Sequence, residues 1–124
     1  MKLIEVIMAR ETVATLYKEK VKGKLAYKFL KFLKETETEE ILYSEKFTEL
    51  MNQYGEKDEN GIVITNGDRF KIKDNLIEDC RVAITDIESI EVDKPSFTIT
   101  IDELEDVKIS MKDMNSLFAF IKEE

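Results

Sequence analysis

Few kinds of side chain are available for chemistry in this chain. Its 124 residues include no histidine, no tryptophan and a single cysteine, Cys80. A proton donor or acceptor near neutral pH therefore has to be a strongly shifted carboxylate, lysine, tyrosine or thiol. Cys80 is the sole candidate thiol nucleophile, yet it falls on the apolar side of a proposed helix with no imidazole to activate it, so a buried structural thiol is expected. Acidic neighbours such as Glu39 with Glu40 and Glu105 with Asp106 do not make a paired-carboxylate site, because adjacent side chains diverge on a helix and point to opposite faces of a strand. Asp58-Glu59-Asn60-Gly61 resembles part of a calcium loop, but Ile62, Val63 and Ile64 fall where oxygen ligands are needed. An Asn-Gly turn accounts for the stretch. Gly55, Gly61 and Gly67 are spread over separate turns with no Gly-Lys-Ser/Thr after them, so no phosphate loop is predicted. The expectation is a non-enzymatic protein with no catalytic residues, no metal site and no cofactor.

Charge is the more informative pattern. Residues 1–34 carry nine Lys/Arg against three Asp/Glu, whereas residues 35–124 carry ten against twenty-four, so a net charge of −8 conceals a +6 segment and a −14 segment. Lys18, Lys20, Lys22, Lys24, Lys28, Lys31 and Lys34 fall in one stretch with Tyr27 interleaved, which makes phosphate contact physically possible. The acidic remainder would repel nucleic acid, and a nucleic-acid partner is not expected. Two-ended charge suits steering of a protein partner, or alignment of subunits so that basic and acidic regions meet. Solvated faces are the plainer reading of both runs.

These residues need elements to hold them. Lys2 to Met8 is β-rich enough for a short strand, with a helix from the start as the alternative. Arg10 to Lys20 places Val13, Leu16 and Tyr17 at helical spacing, and Val21-Lys22-Gly23-Lys24 reads as a turn into a second helix. One long helix from about Lys24 to Tyr54 is the simplest reading, with a break in its acidic middle as the alternative. In it Leu25, Phe29, Leu30 and Leu33 should be buried, while Lys24, Lys28 and Lys31 form an accessible basic stripe. Gly55 stops the helix. Asn66-Gly67 joins Ile62 to Thr65 and Arg69 to Lys73 in a hairpin. Asp74 to Ile87 reads as a third helix, with a strand as the alternative. Ile90 to Val92, Phe97 to Ile101 and Val107 to Ile109 read as short strands. Ser110 with Asp113 caps a final helix whose apolar face is Met114, Leu117, Phe118 and Ile121.

The result is an α+β fold of one domain, 1–124, with long amphipathic N-terminal helices, a small, mainly antiparallel sheet and a C-terminal helix. The helical part covers about 10–54 and the mixed α/β part about 61–124. No stretch approaches the roughly twenty apolar residues of a membrane span, Cys80 cannot form an internal disulfide, and Leu3 to Met8 is too short for a signal peptide. Cytoplasmic residence is expected.

Three segments carry a family resemblance. Lys24-Leu25-Ala26-Tyr27-Lys28, the segment ending Met51-Asn52-Gln53-Tyr54-Gly55-Glu56-Lys57-Asp58-Glu59-Asn60-Gly61, and Ile101-Asp102-Glu103-Leu104-Glu105-Asp106-Val107-Lys108-Ile109-Ser110 resemble an uncharacterised family of small phage and prophage proteins from low-GC Gram-positive bacteria. The chain departs from that pattern at Val21-Lys22-Gly23, where a Leu-Pro turn is usual. The resemblance implies a viral setting, in the cytoplasm of a bacterial host or associated with the virion, and transfers no catalytic residue. The expected function is protein–protein interaction, as a virion or assembly component or a host-directed factor, with a homo-oligomer favoured over a monomer. The alternatives are an acidic anti-defence inhibitor that mimics nucleic-acid charge and a small ligand-binding module. Lys20, Lys24, Lys28, Lys31, Phe47, Met51 and Tyr54 are the candidate interaction residues.

Overall fold

The computed structural model describes residues 1–67 and 69–122. Helix α1 runs Leu3–Tyr17, α2 Gly23–Glu35 and α3 Glu37–Tyr54; strands β1 (Thr65–Asn66) and β2 (Arg69–Phe70) follow. A 3₁₀ turn at Asp74–Leu76 leads into α4 (Ile77–Glu88), then β3 (Ile99–Thr100), α5 (Ile101–Leu104), α6 (Met111–Leu117), a 3₁₀ turn at Phe118–Phe120 and β4 (Ile121–Lys122). The class is α+β with a small antiparallel pair and a C-terminal helix.

The strand expected over Lys2 to Met8 is helix from Leu3 onward, and strand character survives only at Lys2, which bridges Glu91. Burial on more than one side explains the change. Ala9, Val13 and Leu16 join the main core while Leu3, Val6 and Ile7 are also buried outside it, so α1 carries apolar residues over much of its circumference and loses the one-faced pattern of a surface helix. A continuous apolar run cannot be told from a strand by periodicity.

Helix α2 follows its pattern closely. Leu25, Phe29 and Phe32 are buried in the main cluster, and Phe32 lies 4.7 Å from Phe97 and 5.5 Å from Phe120, ring centre to ring centre. Two expectations are corrected: Leu30 is exposed and Leu33 only half-buried. Leu30 projects one step past the edge of the packed face, and Phe32 takes the core position.

The long helix from Lys24 to Tyr54 is broken, as the alternative reading had it. Thr36, between α2 and α3, has φ −104° and ψ 12°, although no glycine or proline is near. An uninterrupted helix would bond the Leu33 carbonyl to the amide four residues on. Here that carbonyl accepts from the Arg10 guanidinium at 2.6 Å, which also donates to Thr36 Oγ1 at 2.6 Å and pairs with Glu40. Thr36 Oγ1 in turn donates to the Phe32 carbonyl at 2.7 Å.

Beyond α3 the chain forms a compact turn region. Gly55 bridges Ile72, Lys57 bridges Val63, and β1 pairs antiparallel with β2 in the register Thr65 to Phe70 and Asn66 to Arg69. Gly55 is needed for space, since a Cβ there would collide with the Met51 carbonyl oxygen and lie 2.7 Å from Val63 Cγ1. Asp58 Oδ1 accepts from the amides of Asn60 and Ile62, and Gly61 has φ +78°, so the Asp58-Glu59-Asn60-Gly61 stretch forms a side-chain-stabilised turn. Residues 74–88 are helical rather than extended.

Of the three strands expected after α4, Ile90 to Val92 supplies only the Glu91 bridge, Phe97 to Ile101 shrinks to β3, and Val107 to Ile109 forms none. Strand β3 pairs in parallel with β4, Ile99 against Ile121 and Thr100 against Lys122. Phe97 and Ile99 are buried while Ser96 and Thr98 are exposed, and Val107 and Ile109 pack on the core. The alternation of these segments records burial of one side; it does not supply a hydrogen-bonding neighbour. The C-terminal helix is capped by Ser110 Oγ, which accepts from the Asp113 amide at 3.0 Å, and it stops before Phe118, which is exposed.

The main core therefore joins α1 and α2 to residues 97–121. Replacing Phe29 by Ala should cost about 3–5 kcal/mol, while Leu30→Ala, at a site 37% exposed, should cost about 1 kcal/mol. Chemical denaturation of both variants measures the contrast, and equal losses would refute the assigned phase of α2.

Candidate interaction surface

The lysines of the basic segment have different fates, decided by their angle around α2. At 100° per residue the packed side of the helix is centred on Leu25, Phe29 and Phe32, and the opposite side carries Lys24, Tyr27, Lys31 and Lys34, with Leu30 at its margin. All five of these are exposed, Tyr27 at 66%. Lys24, Lys31 and Lys34 have no ion pair among the described residues. Lys20 is exposed in the connection that precedes α2.

Lys28 sits at the boundary between the two sides and is not part of the free stripe. Its ammonium donates to Glu103 Oε1 at 2.8 Å and to the Thr98 carbonyl at 3.3 Å, and its side chain is 30% exposed. Glu103 Oε1 also accepts from the amide and hydroxyl of Thr100, closing the cap of α5. Burial pushes the Glu103 carboxyl upward, but the Lys28 hydrogen bond, the Thr100 bonds and the Lys28 charge together hold it below its ordinary value. Lys22, largely exposed, pairs with Asp106 at 2.7 Å; that hydrogen bond and charge raise the lysine and lower the carboxyl.

Phe47, Met51 and Tyr54 lie on α3 and are half-buried. Phe47 stacks on Tyr43 at 6.1 Å and meets Phe70 edge-on at 5.6 Å, so it ties α3 to β2. The Tyr54 carbonyl accepts from the Lys73 amide. No hydrogen bond, ion pair or ring contact among the described residues joins this apolar group to the lysines of α2. The structure brings Lys24 and Lys31 together with Lys34 and Tyr27, which belong to the same basic stretch, and with Leu30, which the sequence pattern assigned to the core. Leu30 could be placed there only by fixing the helical phase on Phe32.

Elsewhere, a cavity of about 490 Å³ is lined by Thr38, Glu39, Leu42, Glu91, Val92 and Asp93. Among the described residues, no three His, Cys, Asp or Glu side chains are grouped to hold a metal ion. Cys80 is buried, and burial pushes its thiol above the ordinary value. No described helix is long and apolar enough to cross a membrane. Comparison with known proteins finds no match: no family model, curated protein or solved structure aligns with the chain.

The Glu103 geometry has a consequence for acid stability. Its folded carboxyl titrates below the unfolded value of about 4.3, so its contribution is complete above that value and is lost as pH falls through the lower folded one. Glu103→Gln should lower stability by about 1–3 kcal/mol at neutral pH, a difference that shrinks as pH falls through the lowered folded pKa. Urea midpoints measured across pH test this, and a difference that stays constant as the acid range is crossed would refute it.

Proposed function

We propose that this chain acts without catalysing a reaction, as a phage or prophage protein that binds another protein through the exposed side of α2. The observation that carries the reading is the alignment of Lys24, Tyr27, Lys31 and Lys34 on one helical face with no ion pair among the described residues, while Lys22 and Lys28 nearby are each paired. Tyrosine with an apolar neighbour supplies the contact area favoured at interface centres. The flanking ammonium groups steer and orient a partner of opposite charge.

An acidic protein surface fits this face better than nucleic acid does. Thirteen residues of helix span only about 20 Å, and the net charge of −8 repels an extended polyanion. A second copy of the chain offers such a surface in its −14 segment, so a homo-oligomer is favoured over a monomer. The viral setting rests on the resemblance carried by residues 24–28, 51–61 and 101–110. It assigns the protein to the cytoplasm of a bacterial host, as a host-directed factor, or to the particle, as a virion or assembly component. Presence in purified particles separates those two roles.

The test is light scattering over a concentration series at low and high salt, together with retention of proteins from prophage-induced cells, for the native chain and two variants. Lys24→Glu with Lys31→Glu should weaken association about tenfold or more at low salt, with a smaller effect at high salt. Tyr27→Ala should weaken it at both. A native chain that stays monomeric, and whose retained proteins are unchanged by either variant, would overturn the assignment.

A further inference from the structure

The described residues of 37–90 contribute nothing to the main core cluster, which is built from α1, α2 and residues 97–121. They form a long excursion from that body. Helix α3 buries only Leu50 among its 18 residues, and α4 buries only Cys80 among its 12. The excursion is nonetheless held together internally by the Phe47–Phe70 ring contact, the Gly55–Ile72 bridge, the Lys73 amide on the Tyr54 carbonyl and the packing of α3 on α4. It rests on α1, which contacts both α3 and α4.

Both ends of the excursion are gripped by α1 and the residues before it. At one end Arg10 holds the Leu33 carbonyl, Thr36 and Glu40. At the other, the Leu3 amide donates to the Ile90 carbonyl at 2.7 Å and the Val92 amide to the Met1 carbonyl at 2.8 Å. The break at Thr36 contains no residue that forbids helix. Its geometry is matched by the bonds Arg10 supplies, so a continuous α2–α3 helix is the conformation open to the chain once the guanidinium lets go.

We propose that α3, β1, β2 and α4 form a hinged arm that opens from α1 as a unit while the main core stays packed, with Arg10 as its latch. Among the described residues outside the main core, the buried apolar ones are Leu3, Val6, Ile7, Leu50 and Cys80, fewer than the eleven within it, and the part of a fold held by the smaller apolar set opens at lower free energy than the core it adjoins. An open arm uncovers the packed faces of α1 and α4, a surface separate from the exposed side of α2, so the inference does not depend on that side binding a partner.

Cys80 serves as the reporter, since it is the only thiol in the chain, is fully buried and lies on α4, which contacts α1. The experiment measures its reaction with Ellman's reagent under native conditions in the intact chain, alongside urea unfolding, for Arg10→Gln and Phe29→Leu. Both substitutions should lower global stability. Arg10→Gln, which removes a charge-assisted latch, should accelerate the thiol about tenfold or more. Phe29→Leu should leave the rate within about twofold, because its site stays packed in both the closed and open states. A comparable acceleration by both variants would show that the chain opens only as a whole and overturn the proposal. So would an unchanged rate in Arg10→Gln.

Discussion

The guanidinium of Arg10 holds the junction on which the rest of the architecture depends. Its side chain is only 13% exposed, and a charge so placed must be matched on every side. The Leu33 carbonyl, the Thr36 hydroxyl and the Glu40 carboxylate supply the match, and they are available together only where α2 gives way to α3. The direction taken by α3 then decides where the turn region and α4 lie. Arg10 stands on the helix that also carries Ala9 and Val13 into the main core, so one side chain couples the bend to the packing of the whole N-terminal part.

Charge asymmetry is partly resolved inside the molecule. Arg10 with Glu40, Lys22 with Asp106 and Lys28 with Glu103 each join the basic segment to the acidic one, and the amino group of Met1 pairs with Glu91. Their weights differ. Lys22 and Asp106 are largely exposed and screened, whereas Glu103 is mostly buried, serves the α5 cap and the α2 anchor at once, and would leave Lys28 unmatched if removed. The positive charge left for other molecules is what these pairs do not consume, and on α2 it surrounds Tyr27.

Much of this was legible in the amino-acid order. A composition without histidine leaves few groups able to exchange protons near neutral pH, whatever the fold. Alternation of apolar and charged residues from Leu25 to Lys34 announced a helix with a core face and a lysine face, Asn66-Gly67 announced the hairpin, and Ser110 with Asp113 announced the final helix. Each signal is local: it involves residues within about one turn of one another, and their backbone geometry follows from side-chain type alone.

What tertiary structure decided involves partners distant in sequence. Leu3 to Met8 became helix because bodies of chain distant in sequence cover α1 on more than one side, and no period in the segment could record that. The break at Thr36 depends on Arg10, 26 residues earlier. Strands β3 and β4 pair although 22 positions separate Ile99 from Ile121, while Val107 and Ile109, with the same alternating pattern, find only the core and no ladder. Lys28 left the basic stripe because Glu103 and the Thr98 carbonyl stand within its reach, 75 and 70 residues away. Composition and spacing fixed which side of α2 carries Leu25 and Phe29 inward; the energy of a buried charge and the supply of hydrogen-bonding neighbours fixed where α2 gives way to α3 and which lysines remain free.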